Sequence, residues 1–320
     1  MNRILFPILV LLFLSACDGT SKKAPEFPYI ELPAAIGSQM PDEKRLYLLN
    51  HFWERYIACA KEDTTLFHIE EKEFEKAYTE YLRLLIAEPD YKRAAALQKE
   101  LIVTADSFAM AGNRGFLMEL IKYNEHYLYN ANSPYLNEEL YIPVLEALME
   151  AKSLDSLSRI PYGYQLGLAL LNRVGERAND FPYLYLRAES RLPEKSTLYR
   201  TEGEYLLLYF NNPGCISCRR IKQFLEQNSI MASMIREKRL VILSLYVDGE
   251  RSLWYDGYKD FPKEWIYAMG EESAFSDNSL YGLRAIPSFY LLNKEKIVLL
   301  KDAPVERVME YLLLLVQTQK

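Results

Sequence analysis

The chain has 320 residues, more than one ordinary domain and fewer than three. Half of the residues are hydrophobic and 26% are charged, which indicates a packed globular protein and excludes a disordered one. A net charge of -6 argues against a nucleic-acid partner, because nucleic-acid-binding domains usually carry a basic excess. The four cysteines, Cys17, Cys59, Cys215 and Cys218, are too few for a scaffold held together by disulfides.

The N-terminal residues have the features of a secretory signal. Arg3 precedes an apolar run over residues 4–13, and this run is too short to span a bilayer as a permanent helix. The ending Leu14-Ser15-Ala16-Cys17 resembles the lipobox of bacterial lipoproteins. A membrane anchor, or a cleaved signal followed by a coincidental cysteine, are the alternatives.

The lipobox resemblance implies that Cys17 is lipidated and becomes the first residue of the mature chain. Residues 1–16 are then a signal peptide, and residues 17–40, which are polar and contain prolines, are the lipidated cysteine and a tether. The expected location is the cell envelope, with the lipid in the inner or outer membrane and the protein facing the periplasm.

Residues 41–160 are predicted to form an all-α domain. Its clearest helix shows apolar residues at a spacing of three and four, which places one apolar stripe along one face. The stripe consists of Phe74, Ala77, Tyr78, Tyr81, Leu82 and Leu85. Cys59, earlier in the chain, lies among apolar residues and is interpreted as a small buried side chain. The segment 126–146 resembles the N-terminal helical domain, of unknown function, of a group of thioredoxin-like bacterial lipoproteins.

The pattern changes in residues 165–320, which alternate between strands and helices. Continuous apolar runs predict buried strands at 205–210 and 240–247, and two further strands are predicted at 288–292 and 297–300. Helices are predicted at 219–227 and 304–317, and an alternating pattern at 180–186 indicates another strand. This order predicts an α/β domain built on a central sheet.

A Cys-x-x-Cys motif, Cys215-Ile216-Ser217-Cys218, lies between the first buried strand and the helix that follows. A cysteine at a helix N-terminus has a stabilised thiolate because the unpaired amide groups carry partial positive charge, and Arg219 adds a full charge nearby. The spacing lets Cys218 reach the sulfur of Cys215, so one thiol can attack a disulfide and the other can release the product. A zinc site, which needs two further ligands, and a structural disulfide are the alternatives.

The segment 281–292, with Ile286-Pro287 ahead of a strand, resembles the thioredoxin superfamily, where a cis-proline faces the Cys-x-x-Cys pair. The number of residues between Cys218 and Pro287 resembles that in the TlpA/AhpC-type branch of the superfamily, which carries an insertion here at about 248–278. The resemblance implies a thioredoxin-like fold, a central mixed sheet flanked by helices. It also implies that Ile286 and Pro287 seat the substrate, with the backbone of Ile286 pairing like an added strand. A trans-proline that starts an edge strand is the alternative.

The sequence departs from this family at several positions. Gly214 replaces a frequent tryptophan, and Ile216-Ser217 lacks a frequent proline. Tyr209 stands where thioredoxins place a buried acid, and Ile221 stands where related reductases place a glutamate. The usual proton acceptor for Cys218 is therefore missing at both positions.

The predicted function is that of a membrane-tethered thiol-disulfide oxidoreductase, with Cys215 as the nucleophile and Cys218 as the resolving thiol. Its expected partners are disulfide-containing envelope proteins and a membrane electron donor or acceptor, and no cofactor is implied. The alternative is a binding or scaffold lipoprotein with a weakly active or structural Cys-x-x-Cys pair.

Overall fold

The computed structural model of the protein describes residues 26–37, 40–62, 70–186, 192–271, 275 and 280–317. By its internal contacts the chain divides into two units, Met1–Ala87 and Glu88–Lys320. The helices that follow Glu88 thus pack in the same unit as the sheet. The domain boundary expected between residues 160 and 165 stays a prediction, and the signal peptide with Cys17 lies outside the described residues.

The secondary structure described in the first unit is helical, and its helices are α1 (Ala34–Gly37), α2 (Pro41–His51), α3 (Glu54–Glu62) and α4 (Glu71–Ile86). The predicted apolar stripe of α4 is confirmed, because all six of its residues are buried. A turn at Phe52 and Trp53 separates α2 from α3. Cys59, predicted as a small buried side chain, is half-buried on α3 and has a free thiol.

Part of the segment 17–40, which is predicted as a tether, packs against the helices of the first unit. Phe27 is 4% exposed and stacks on Tyr56, with ring centroids 5.3 Å apart, and its edge also contacts Trp53. Burial of an aromatic ring removes a large apolar area from water, so it holds the backbone around Phe27 against the helices. A tether made of residues 17–40 must therefore end before Phe27.

The second unit begins with helices and continues into the sheet. Its helices are α5 (Tyr91–Met110), α6 (Gly115–Asn124), α7 (Glu138–Glu150) and α8 (Ser156–Leu170), and a π-helix, Glu125–Tyr129, continues α6. Side-chain oxygens of Asp90, Asn137 and Asp155 cap the N-termini of α5, α7 and α8 by accepting backbone amide hydrogens.

The described residues form one mixed sheet of seven strands. The strands are β1 (Pro182–Tyr185), β2 (Glu194–Thr197), β3 (Tyr205–Asn211), β4 (Leu240–Tyr246), β5 (Ile266–Gly270), β6 (Ser288–Asn293) and β7 (Val298–Ala303). Their order in the sheet is β2-β1-β5-β4-β3-β6-β7. Strand β3 runs parallel to β4 and antiparallel to β6, and β5 extends the sheet parallel to β4. The predicted mixed sheet flanked by helices is confirmed.

The central strand β3 supplies side chains to both faces of the sheet. Leu208 and Phe210 point into one core, whereas Leu207 and Tyr209 point into the other, as the two-residue period of a strand requires. The second core also receives Cys218 and apolar residues of the helices α9 (Ile216–Gln227), α10 (Ser229–Arg236) and α12 (Val305–Gln317). The Cys-x-x-Cys motif is therefore anchored on this second face.

The predicted insertion at 248–278 contributes to the sheet. It contains helix α11 (Arg251–Gly257), a 3-10 turn, Tyr258–Asp260, and strand β5. Trp254 of α11 is fully buried and stacks on Tyr267 of β5 with ring centroids 6.1 Å apart. The insertion thereby extends the sheet beyond β4 and brings Asp260 and Phe261 beside the N-terminal part of α9.

Candidate active site

The two cysteines of the motif lie at the start of α9, directly after β3. Cys215 is the N-cap residue with an extended backbone, and its sulfur accepts the backbone N–H of Cys218 at 3.1 Å. A disulfide joins the two residues, whose Cα atoms are 5.2 Å apart. Cys215 is half-buried whereas Cys218 is 3% exposed. An external disulfide can therefore approach Cys215 but not Cys218.

A hydrogen-bonded turn fixes the approach to Cys215. The side-chain oxygen of Asn212 accepts the N–H of Gly214 at 2.8 Å, and its backbone carbonyl accepts the N–H of Cys215 at 3.0 Å. The amide group of Asn212 also donates to the Asp248 carboxylate. This turn links the end of β3 to the loop after β4 and holds the first cysteine at the helix N-terminus, where the dipole favours a thiolate.

The Ile286–Pro287 peptide bond is cis, as the sequence predicts. Ser288, which follows the proline, pairs with Phe210 at the end of β3, so the register brings the proline to the end of the strand that leads into the motif. Ile286 and Cys215 are both half-buried and pack against the same apolar core. The structure thus brings together the two segments that the sequence singled out.

Tyr209 occupies the position where the family's buried acid would lie. Its hydroxyl donates to the backbone carbonyl of Cys218 at 2.7 Å, and its ring stacks on Phe289. Burial raises the pKa of the Tyr209 phenol well above its ordinary value, so this group keeps its proton at neutral pH. Tyr209 holds the first turn of α9 in place and is no proton acceptor for Cys218.

A cavity of about 260 Å³ borders Cys218 and opens to solvent. Lys222 lines it, with its ammonium group donating to the backbone carbonyl of Asp260, lying 3.2 Å from the Glu226 carboxylate and 5.1 Å from the centre of the Phe261 ring. The cavity is large enough for several water molecules, and polar groups are available to bind them. Water can therefore approach Cys218 from this side.

Sequence reasoning missed Lys222 and Asp260. Lys222 comes four residues after Cys218, and this spacing places two residues on one face of a helix, so the sequence held a signal for it. Asp260 lies in the predicted insertion, and nothing local in the sequence indicates that it meets α9.

Arg219 lines the same cavity, and its side chain is exposed. It is close enough to the helix N-terminus to add positive charge there, and its support of a Cys215 thiolate stays a prediction. Among the described residues, no three histidine, cysteine or acidic side chains form a group that could hold a metal ion. No helix within the described ranges is both long and apolar enough to cross a membrane.

Comparison with known proteins gives three relevant results. Residues 15–172 match a family described as "Domain of unknown function (DUF5106)". The crystal structure of a thioredoxin-like protein from Bacteroides caccae is 33% identical, covers 91% of this chain and 99% of its own, and superposes with a TM-score of 0.80. No curated protein matches.

Shorter structures match less than half of this chain. The C-terminal domain of an uncharacterized protein from Bacteroides fragilis is 40% identical over 44% of this chain and 97% of its own, with a TM-score of 0.40. The thioredoxin domain of a thiol-disulfide oxidoreductase from Bacteroides vulgatus is 16% identical over 44% of this chain and 98% of its own, with a TM-score of 0.36. Since the Bacteroides caccae protein is matched over nearly its whole length, the chain belongs to the thioredoxin-like proteins, and it carries an N-terminal domain of unknown function.

Proposed function

We propose that the protein is a membrane-tethered thiol-disulfide oxidoreductase that acts on protein disulfides in the cell envelope. The observation that carries the proposal is a half-buried Cys215 at a helix N-terminus that packs against the same apolar core as Ile286. A purely structural disulfide needs neither an accessible first cysteine nor a half-buried apolar segment beside it. Both features serve a reaction with an external disulfide.

The reaction is a pair of thiol-disulfide exchanges. In the reducing direction the Cys215 thiolate attacks one sulfur of a substrate disulfide, a mixed disulfide forms, and the other substrate sulfur leaves as a thiolate that takes up a proton. The Cys218 thiolate then attacks the Cys215 sulfur and releases the second substrate thiol. Two electrons pass to the substrate and Cys215–Cys218 becomes a disulfide. The reverse sequence oxidises a dithiol, and a membrane electron donor or acceptor must reset the pair.

Cys218 must lose its proton before it can resolve the mixed disulfide. Because neither Tyr209 nor Ile221 can accept it, we infer that water in the cavity beside Cys218 takes the proton. The Lys222 ammonium lines this cavity and stabilises the resulting thiolate by its charge. Arg219 gives the same kind of support to Cys215, and the backbone of Ile286 pairs with the substrate peptide.

Replacing Cys218 with serine will trap the substrate. The Cys218→Ser variant retains the nucleophile and lacks the resolving thiol, so mixed disulfides with envelope proteins accumulate and appear on non-reducing gels, where mass spectrometry identifies them. The Cys215→Ser/Cys218→Ser variant is the control and forms none, whereas Cys59→Ser/Cys218→Ser traps as well as the single variant. Adducts that form equally without Cys215 would rule out its role as nucleophile.

The membrane tether is tested independently of the redox chemistry. Lipidation needs the Cys17 thiol, so a Cys17→Ala variant loses its lipid and moves from the membrane fraction to the soluble periplasmic fraction. A Cys59→Ser variant is the matched control and stays with the membrane. Retention of Cys17→Ala in the membrane fraction would contradict lipid anchoring.

A binding or scaffold role is the second candidate, and the replacement of the family's buried acid by Tyr209 favours it. Redox titration of Cys215–Cys218 separates the two functions. Catalytic pairs have potentials of about -120 to -270 mV, whereas a structural disulfide lies below about -300 mV.

A further inference from the structure

Four charged side chains form a buried charge cluster between the helices and the sheet of the second unit. They are Glu138 of α7, Arg284 of the segment before the cis-proline, and Lys301 and Asp302 of β7. Each side chain is at most 10% exposed, and the two positive charges balance the two negative ones. Buried charges are costly unless they are paired, so this arrangement needs every member.

The cluster binds the chain both before and after the cis-proline. Arg284, three residues before Pro287, donates through Nε to the Asp302 carboxylate at 2.9 Å. Ser288, directly after Pro287, donates its hydroxyl to the other oxygen of the same carboxylate at 2.6 Å. One carboxylate therefore holds both ends of the segment that carries the Ile286–Pro287 bond.

The other contacts come from the helical segment of the second unit, which we define as α5 to α8, Tyr91–Leu170. The Arg284 guanidinium donates to the backbone carbonyl of Tyr129 at 2.8 Å, lies 4.9 Å from the centre of the Tyr129 ring and 3.5 Å from the Glu138 carboxylate. Lys301 lies 2.7 Å from the same carboxylate and donates to the carbonyl of Ala169 at 2.9 Å. Tyr129, Glu138 and Ala169 all belong to residues 15–172, the domain of unknown function.

The backbone at the contact has an unusual form. Tyr129 is the last residue of the π-helix Glu125–Tyr129, and such turns inside α-helices occur often at functional sites. Asp302 has a φ of 45°, a region that side chains other than asparagine and aspartate seldom adopt. Both sides of the contact thus depart from regular helix and strand geometry where they meet Arg284.

We propose that Arg284 and Glu138 are positioning residues through which the helical segment fixes the Ile286–Pro287 loop for substrate binding. The substrate part of this inference rests on the proposed function. Because the cluster touches the loop and not the sulfurs, its loss raises the KM for a disulfide-bearing protein and leaves the redox potential of Cys215–Cys218 unchanged.

The test uses Arg284→Lys, which keeps the charge but loses the fork of donors that binds the Asp302 carboxylate and the Tyr129 carbonyl together. Arg307→Lys is the matched control, because Arg307 lies on α12 with a side chain that is 68% exposed. Hydrogen–deuterium exchange of the full chain is measured for peptides that cover residues 284–288. The KM for insulin is measured in the disulfide-reduction assay, and the redox potential of the Cys215–Cys218 pair is measured by titration.

For Arg284→Lys, we expect amide exchange in the loop to rise by about 10-fold or more, with no change in the α9 peptides. The KM rises by at least about 10-fold, while the potential and the Arg307→Lys control stay as in the wild type. Unchanged loop exchange would overturn the proposal. The proposal would also be overturned if the rise in KM came with a shifted redox potential of Cys215–Cys218 and with faster amide exchange throughout the chain. A merely structural role of Arg284 would produce that result.

Glu138→Gln is the second variant, in case Arg284→Lys does not fold. It alters the cluster from the helical side, far from the loop in sequence, and keeps the size of the side chain. Faster exchange at 284–288 is again expected. If the wild-type protein does not react with disulfides, the proposed function alone is refuted. If amide exchange at residues 284–288 is the same in the wild type and in both variants, the positioning role is refuted.

Discussion

Replacement of Cys215 by serine will reduce insulin-disulfide reduction to the uncatalysed rate, a loss on the order of 10³-fold or more. The hydroxyl of serine is far less acidic than a thiol and cannot form a disulfide with the substrate. Cys218 cannot substitute for it, because that residue is 3% exposed and Tyr209 holds its carbonyl against the strand. The measurement is the rate of insulin precipitation in the presence of dithiothreitol.

Cys59→Ser is the matched control for this prediction. Cys59 is a half-buried free thiol on α3 in the first unit, outside the candidate active site, so its replacement leaves the rate unchanged. A Cys215→Ser variant with more than a few per cent of wild-type activity would show that another thiol performs the reaction. Catalysis by the Cys215–Cys218 pair would then be rejected.

Replacement of Phe210 by alanine will destabilise the second unit by about 3–5 kcal/mol. Phe210 is fully buried on the central strand β3, and its ring contacts those of Phe275, Tyr281 and Tyr290 with centroids 5.3, 5.3 and 5.6 Å away. Removing the ring leaves a cavity in a core that cannot collapse easily, because a paired strand lies on each side of β3. Urea unfolding followed by circular dichroism measures the loss.

Phe224→Ala provides a control of the same residue type. Phe224 lies on α9 and is 48% exposed, so its removal forfeits little burial and costs less than about 1 kcal/mol. Equal losses for the two variants would contradict the burial of Phe210 in the core on its face of the sheet. Retention of the Cys215–Cys218 disulfide in both variants is checked by thiol titration, so that a change in redox state is not mistaken for a packing effect.

Much of the sheet could be predicted from the sequence because its central strands are buried on both faces. Continuous apolar runs indicated strands at 205–210 and 240–247, and the structure has β3 at Tyr205–Asn211 and β4 at Leu240–Tyr246. The strands predicted at 288–292 and 297–300 correspond to β6 and β7. The cis peptide bond at Ile286–Pro287 was also predicted, from a resemblance in the residues around it.

The edge strand β2 and the insertion could not be predicted in the same way. Strand β2, Glu194–Thr197, has no buried residue, so its sequence lacks an apolar pattern. Strand β5, Ile266–Gly270, is apolar but short, and its role depends on pairing with β4 and with β1. A run of five residues cannot be assigned to a sheet until the partner strands are known.

The sequence by itself determined the local features of this protein: the Cys-x-x-Cys spacing at a helix start, the proline ahead of β6 and the lipobox-like N-terminus are all patterns of adjacent residues. Only the tertiary structure decided which of the two cysteines is accessible, that Lys222 and Cys218 line one cavity, and that Glu138 meets Arg284. The physical reason is that helix caps and strand burial follow from local spacing, whereas the burial of charge depends on residues far apart in the chain. The contact of Arg284 with Tyr129 joins positions 155 residues apart.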